Sequence, residues 1–196
     1  MTTHRQLELL ISQLLDFQFS ETGTEPQFKR AYTGIAKLDF LSDEIKPFLT
    51  HYFADKDENG IHIYSFSAED SVIYLAETLD FLDRKSWSFN SEIYEQVSFA
   101  FEQEYVVIRE EIIKIIGHPK FINDNFSDFK DEHQSDASIN AGRRDIPLEF
   151  QMVDYMGEFK LTYWIVNQRV LYLTIAHTDK EESLNIALGS RPIRNL

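Results

Sequence analysis

The groups best equipped for chemistry in this chain are 33 carboxylates and six histidines; cysteine is absent. Without a thiol there is no disulfide, thiolate metal site or cysteine nucleophile. The histidines stand at 4, 51, 62, 118, 133 and 177, never four residues apart as on a zinc-binding helix. His177 closes a predicted strand beside Asp179, where it could act as a base or simply bond a turn carboxylate. Asp55-Lys56-Asp57-Glu58-Asn59-Gly60 supplies the first half of a calcium loop. The bidentate acid of the second half should fall at position 66, which is Phe66. An Asp/Asn/Gly turn is therefore expected there, with no metal and no cofactor assigned. The seven glycines are at least eleven residues apart, which rules out a dinucleotide fingerprint, a phosphate-cradling loop and a nucleophile elbow. Paired hydrolytic carboxylates would meet in space rather than in sequence, so none can be named from spacing. Glu102/Glu104 and Glu110-Glu111 read as the solvated edge of a helix.

The carboxylates are unevenly placed. Lys and Arg number 19, so the net charge is −14, and residues 39–83 alone carry −9 of it. A field of that sign repels nucleic acid and anionic lipid and favours cations or a basic protein. The candidate binding patch is Asp43, Glu44, Asp55, Asp57, Glu58, Glu69, Asp70, Asp80 and Asp83, with Trp87 in the Arg84-Lys85-Ser86 linker as a partly exposed anchor. The alternative for the same charge is a set of solvated helix faces that keep the protein soluble. The 16 Phe and 9 Tyr mostly belong in a core, with a few to spare for an interface.

These groups must be held by elements whose periods can be counted. Leu7, Leu10, Ile11, Leu14 and Leu15 predict a helix over 4–18, with Thr2 or Thr3 as cap. Pro26 opens a second predicted helix lined by Phe28, Ala31, Tyr32 and Ile35. A third starts near Ser42 and is lined by Ile45, Phe48, Leu49, Tyr52 and Phe53. Residues 61–66 are β-rich and predict a strand. Ser67 to Asp70 resemble a capping box, which predicts a helix to about Asp83 burying Val72, Leu75, Ala76, Leu79 and Leu82. The longest helix runs from Asn90 or Ser91 to Ile116. Its stripe is Ile93, Val97, Ala100, Phe101, Tyr105, Ile108, Ile112 and Ile115, and Gly117 and Pro119 stop it. Residues 122–146 read as a mobile or functional loop. Strands are predicted over 148–155, 159–166, 169–177 and 183–189, with Asn167-Gln168 as a two-residue turn and Trp164 in the sheet core.

The expected architecture is a single α+β domain over 1–196, with a helical part (1–120, about five helices), a flexible segment (122–146) and an antiparallel β-meander (148–190) joined by one earlier strand. No apolar stretch approaches the length of a membrane span, so a cytoplasmic protein without membrane contact is expected. In size, acidity and cytosolic character the chain is similar to small bacterial immunity proteins, which neutralise a nuclease or other toxin; no segment carries the similarity. It implies a protein-binding module for a basic partner rather than an enzyme. The other two expectations are a hydrolase using carboxylates or His177 between helices and sheet, with 122–146 as a lid, and a structural domain forming a homodimer through the long helix or a sheet edge.

Overall fold

The computed structural model describes residues 2–17, 29–36, 38, 41, 43, 60–65, 71–78, 82–83, 88–89, 91–123, 158–176 and 184–193. Their elements, in chain order, are α1 (Thr3–Asp16), β1 (Lys29–Tyr32), β2 (His62–Ser65), β3 (Ser71–Glu77), β4 (Leu82–Asp83), β5 (Ser88–Phe89), α2 (Ser91–Ile116), β6 (Phe121–Asn123), β7 (Glu158–Val166), β8 (Arg169–Ala176) and β9 (Asn185–Pro192).

Seven strands form one sheet in the order β1-β2-β3-β9-β8-β7-β6, every neighbouring pair antiparallel. It consists of two runs of adjacent strands, β1 to β3 and β6 to β9, sealed where the last strand lies beside β3. Between those runs the chain passes through the separate β4–β5 pair and α2 to reach the far edge. The expected five-helix layer on a terminal meander is thus overturned: the described residues form two helices and a seven-stranded antiparallel sheet.

The two helices follow from their stripes. α1 buries Leu7, Leu10, Ile11 and Leu14. Thr2 caps it through its carbonyl, which accepts from the Gln6 N–H at 3.0 Å, and its hydroxyl takes no part. α2 buries Val97, Phe101, Tyr105, Ile108 and Ile112 and stops at Gly117, whose φ of 93° is the left-handed conformation that favours glycine. Both helices pack on one face of the sheet, against Ile63, Ile73, Leu75, Ala76, Leu171, Leu173, Ile175, Ile186 and Leu188. Burial of each large side chain there contributes roughly 1.5–3 kcal/mol. Trp164 is buried on the same face and donates from Nε1 to the Gly117 carbonyl at 2.9 Å.

Two predicted helices are strands instead. The helix expected from Pro26 is β1 over its described part: Arg30, Ala31 and Tyr32 pair with Tyr64, Ile63 and His62. Aromatic and sheet-paired residues gain more from that ladder than from an isolated helix interrupted by Gly34, which has φ 80°. The helix expected from Ser67 is β3 over 71–77, buried on both faces. A bulge between Tyr74 and Ala76 sets Leu75 and Ala76 together on the helix-covered face, while Val72 and Tyr74 join the opposite one. Val72 therefore does not share a face with Leu75 and Ala76: apolar residues stand at i, i+3 and i+4 because both faces of the strand are buried, which also removes the alternation that would mark a strand. Residues 121–123, the first of them outside and the others inside the expected loop, are β6. The expected helix from Ser42 to Phe53 (Asp43 apart), the rest of the 122–146 loop, the 148–155 strand and His177 lie outside the described residues.

The second face of the sheet carries a cross-strand row that traverses all seven strands: Arg30, Tyr64, Val72, Gly189, Tyr172, Tyr163 and Phe121. Phe121 stacks on Tyr163 at 5.4 Å between ring centroids. Tyr172 lies over Gly189, occupying the space a side chain would need there. Alongside, Tyr32, His62, Tyr64 and Tyr74 succeed one another at centroid distances of 5.5, 6.2 and 5.9 Å.

Candidate functional site

The acidic patch expected over 39–83 meets the structure at few points. Asp43 is exposed in a turn, and Asp83 lies in β4. Glu44, Asp55, Asp57, Glu58, Glu69, Asp70, Asp80 and Trp87 lie outside the described residues. Glu77, another acid of that stretch, is 8 % exposed at the end of β3, so it belongs to the sheet rather than to a surface field. It pairs with Asn185, on the face away from the helices. Nearby Tyr74 has its phenol pushed up to about 12, first by burial and then by the charges of Glu77 and Tyr64.

The candidate that the structure builds is the outward face of α2. One side of this 26-residue helix, six residues of which are buried, is committed to the core, and what remains is unusual for a solvated face. Phe99 is 65 % exposed, Val107 51 %, Ile93 40 % and Val106 37 %. Phe99 and Val106 are seven residues apart, and with Gln103 between them they form one ridge opposite the buried stripe. Glu92, Glu95 and Glu110 are exposed around that ridge, and half-buried Glu102 flanks it. The helix carries six carboxylates against Arg109 and Lys114.

The two cations stand in the last two turns of the helix, each beside a carboxylate. Lys114 is paired with Glu111, which also lies 3.5 Å from Nδ1 of His4 on α1. Those contacts, Lys114 first, hold the Glu111 carboxyl below its ordinary range against an opposing effect of burial. Arg109 lies along the Tyr105 ring, 5.7 Å from its centroid, and 3.9 Å from Glu110. On the flank facing β7, Lys160 Nζ reaches Glu102 at 3.4 Å, and the Tyr105 hydroxyl meets that of Thr162 at 2.7 Å. These contacts fix the roll of α2 on the sheet and thereby determine that Phe99 points away from it.

Three acids of α2 correct the sequence reading. Glu104 is 3 % exposed on the inward face and Glu102 is paired with a lysine, so neither is a freely solvated edge; Glu111 is tied to Lys114 and His4. Glu104 under α2 and Glu77 on the far face are separated by the sheet and share no cleft, unlike the facing carboxylates of a glycosidase. Among the described residues no group of three or more His, Asp or Glu is placed to hold a metal ion, and no helix is long and apolar enough to cross a membrane. Phe99, Val106 and Val107 were partly legible without a structure: they are among the six apolar residues of 91–116 outside the expected stripe, and the other three, Tyr94, Ile113 and Ile116, pack partly against the core. Comparison with protein families, curated proteins and solved structures gives no match for this chain.

Proposed function

We propose that this chain is a protein-binding module that captures a basic protein through the outward face of α2, acting in the cytoplasm. The observation that carries the reading is Phe99, a large aromatic 65 % exposed on a helix whose exposed charged groups, Lys114 apart, are the carboxylates of Glu92, Glu95 and Glu110. An apolar anchor supplies affinity once it is desolvated, and the surrounding like charges speed encounter with a basic partner and repel acidic ones. The chain's −14 adds long-range attraction of the same sign. Neutralisation of a basic toxin or nuclease, as by an immunity protein, is a function of this type.

Pull-down from the native cell extract at low and high salt tests it, with wild type and two variants. A basic protein retained by wild type at low salt is expected to be lost with Glu92→Lys/Glu95→Lys/Glu110→Lys and weakened at least tenfold by Phe99→Ser. Loss with reversals at Asp55, Asp57 and Glu58, and not with the α2 changes, would move the interface to the 39–83 stretch. Retention unaffected by either set overturns the reading.

A further inference from the structure

The outward residues of α2 also constrain the shape of what binds them. Glu92, Gln96, Phe99, Gln103, Val106 and Glu110 follow one another at alternating steps of four and three, and all are exposed. Those are the steps of a single helix face, so a second helix lying along the first would meet all six side chains in register, as in a coiled-coil seam. From Glu92 to Glu110 the seam extends about 27 Å, or five helical turns. It is apolar at Phe99 and Val106, amide-bearing at Gln96 and Gln103, and acidic at both ends.

The end charges decide the occupant. A second α2 laid parallel would set Glu92 against Glu92 and Glu110 against Glu110; laid antiparallel, it would set Glu92 against Glu110. Carboxylate faces carboxylate in either direction, with Glu95 adding to the repulsion. A helix of opposite charge meets no such penalty. Resting on the function proposed above, we infer that the partner seats a helix of about five turns along this seam, with apolar side chains at its middle and Lys or Arg at both ends.

Two synthetic peptides of about 21 residues, matched to that length, test this against the full chain at low ionic strength. Both have the same leucine and lysine content. In one the leucines repeat at steps of three and four, and in the other they are scrambled around the helix. The first is expected to bind at least tenfold more tightly by fluorescence anisotropy and to gain helical circular dichroism on binding. Phe99→Ser, at a position too exposed to threaten folding, is expected to erase the difference, and Val106→Ser to reduce it. Equal binding of the two peptides, or a difference that survives Phe99→Ser, overturns the helical seat while leaving a basic partner in place. Binding of neither peptide by a chain that still retains its basic protein in the pull-down also overturns the seat alone. Self-association in sedimentation that Phe99→Ser abolishes would assign the seam to a second copy and overturn it as well.

Discussion

Tyr105 is fully buried between α2 and the sheet, and its hydroxyl meets that of Thr162, itself fully buried, at 2.7 Å. The two hydroxyls have exchanged water for each other, with the Leu173 carbonyl a further acceptor 3.5 Å from that of Tyr105, so removing either one weakens a buried polar cluster. Tyr105→Phe and Thr162→Val are each expected to cost about 1–3 kcal/mol, and the double variant less than their sum. Urea unfolding of the four proteins measures this coupling, and additive costs would show that the contact does not stabilise the fold. At this scale most apolar assignments of the sequence carried over: Trp164, Val97, Phe101, Tyr105, Ile108 and Ile112 are buried where spacing puts them and Ala100 and Ile115 partly so, whereas Ile93, expected in the same stripe, is 40 % exposed. Glu104 did not carry over, because a carboxylate on the inward side of a helix has the same spacing as one on its edge. Only the packing around α2 distinguishes the two.

The β7–β8 hairpin was equally legible at the level of elements. Val170, Tyr172 and Thr174 alternate with Leu171, Leu173 and Ile175, and the structure sends the two sets to opposite faces. Its turn residues, Asn167 and Gln168, have φ of 50° and 62°. Asparagine tolerates that conformation, but glutamine has no comparable local compensation and carries a Cβ clash of roughly 1 kcal/mol. Gln168→Gly is therefore expected to raise stability by about 0.5–1 kcal/mol, read as a higher midpoint in thermal melts. The bond from Ile193 N–H to the carbonyl of residue 168 should persist, because it involves only the backbone. No gain would show that the turn holds no such strain. β3 was illegible for the reason that makes it stable. It is covered on both faces and bulged, so its apolar residues lose the two-residue period.

The excess charge acts on the molecule as a whole. With a net −14 the folded chain repels itself, and that repulsion is greater in the compact state than in the unfolded one. Raising NaCl from about 0.01 M to about 0.3 M shortens the screening length from about 30 Å to under 10 Å. The melting midpoint should rise over that interval, while affinity for the proposed basic partner falls. A midpoint that falls on adding salt would mean that ion pairs such as Lys160–Glu102 outweigh the net repulsion.

The sequence by itself determined what local periods and composition can determine. These are the acidity, the absence of thiol chemistry, the helices α1 and α2, the strand at 62–65, and the β7–β8–β9 run, each with one buried and one differently partnered face or a clear turn between. Tertiary structure decided the rest. β1 and β3 are strands because neighbours in the sheet accept their hydrogen bonds and bury both faces of β3, and no window of sequence contains those neighbours. The outward ridge of α2 is of the same kind. Its residues were visible in the chain, but their exposure depends on how Tyr105, Lys160 and Trp164 anchor the helix to a sheet that pairs residues as distant in the chain as Ser71 and Ser190.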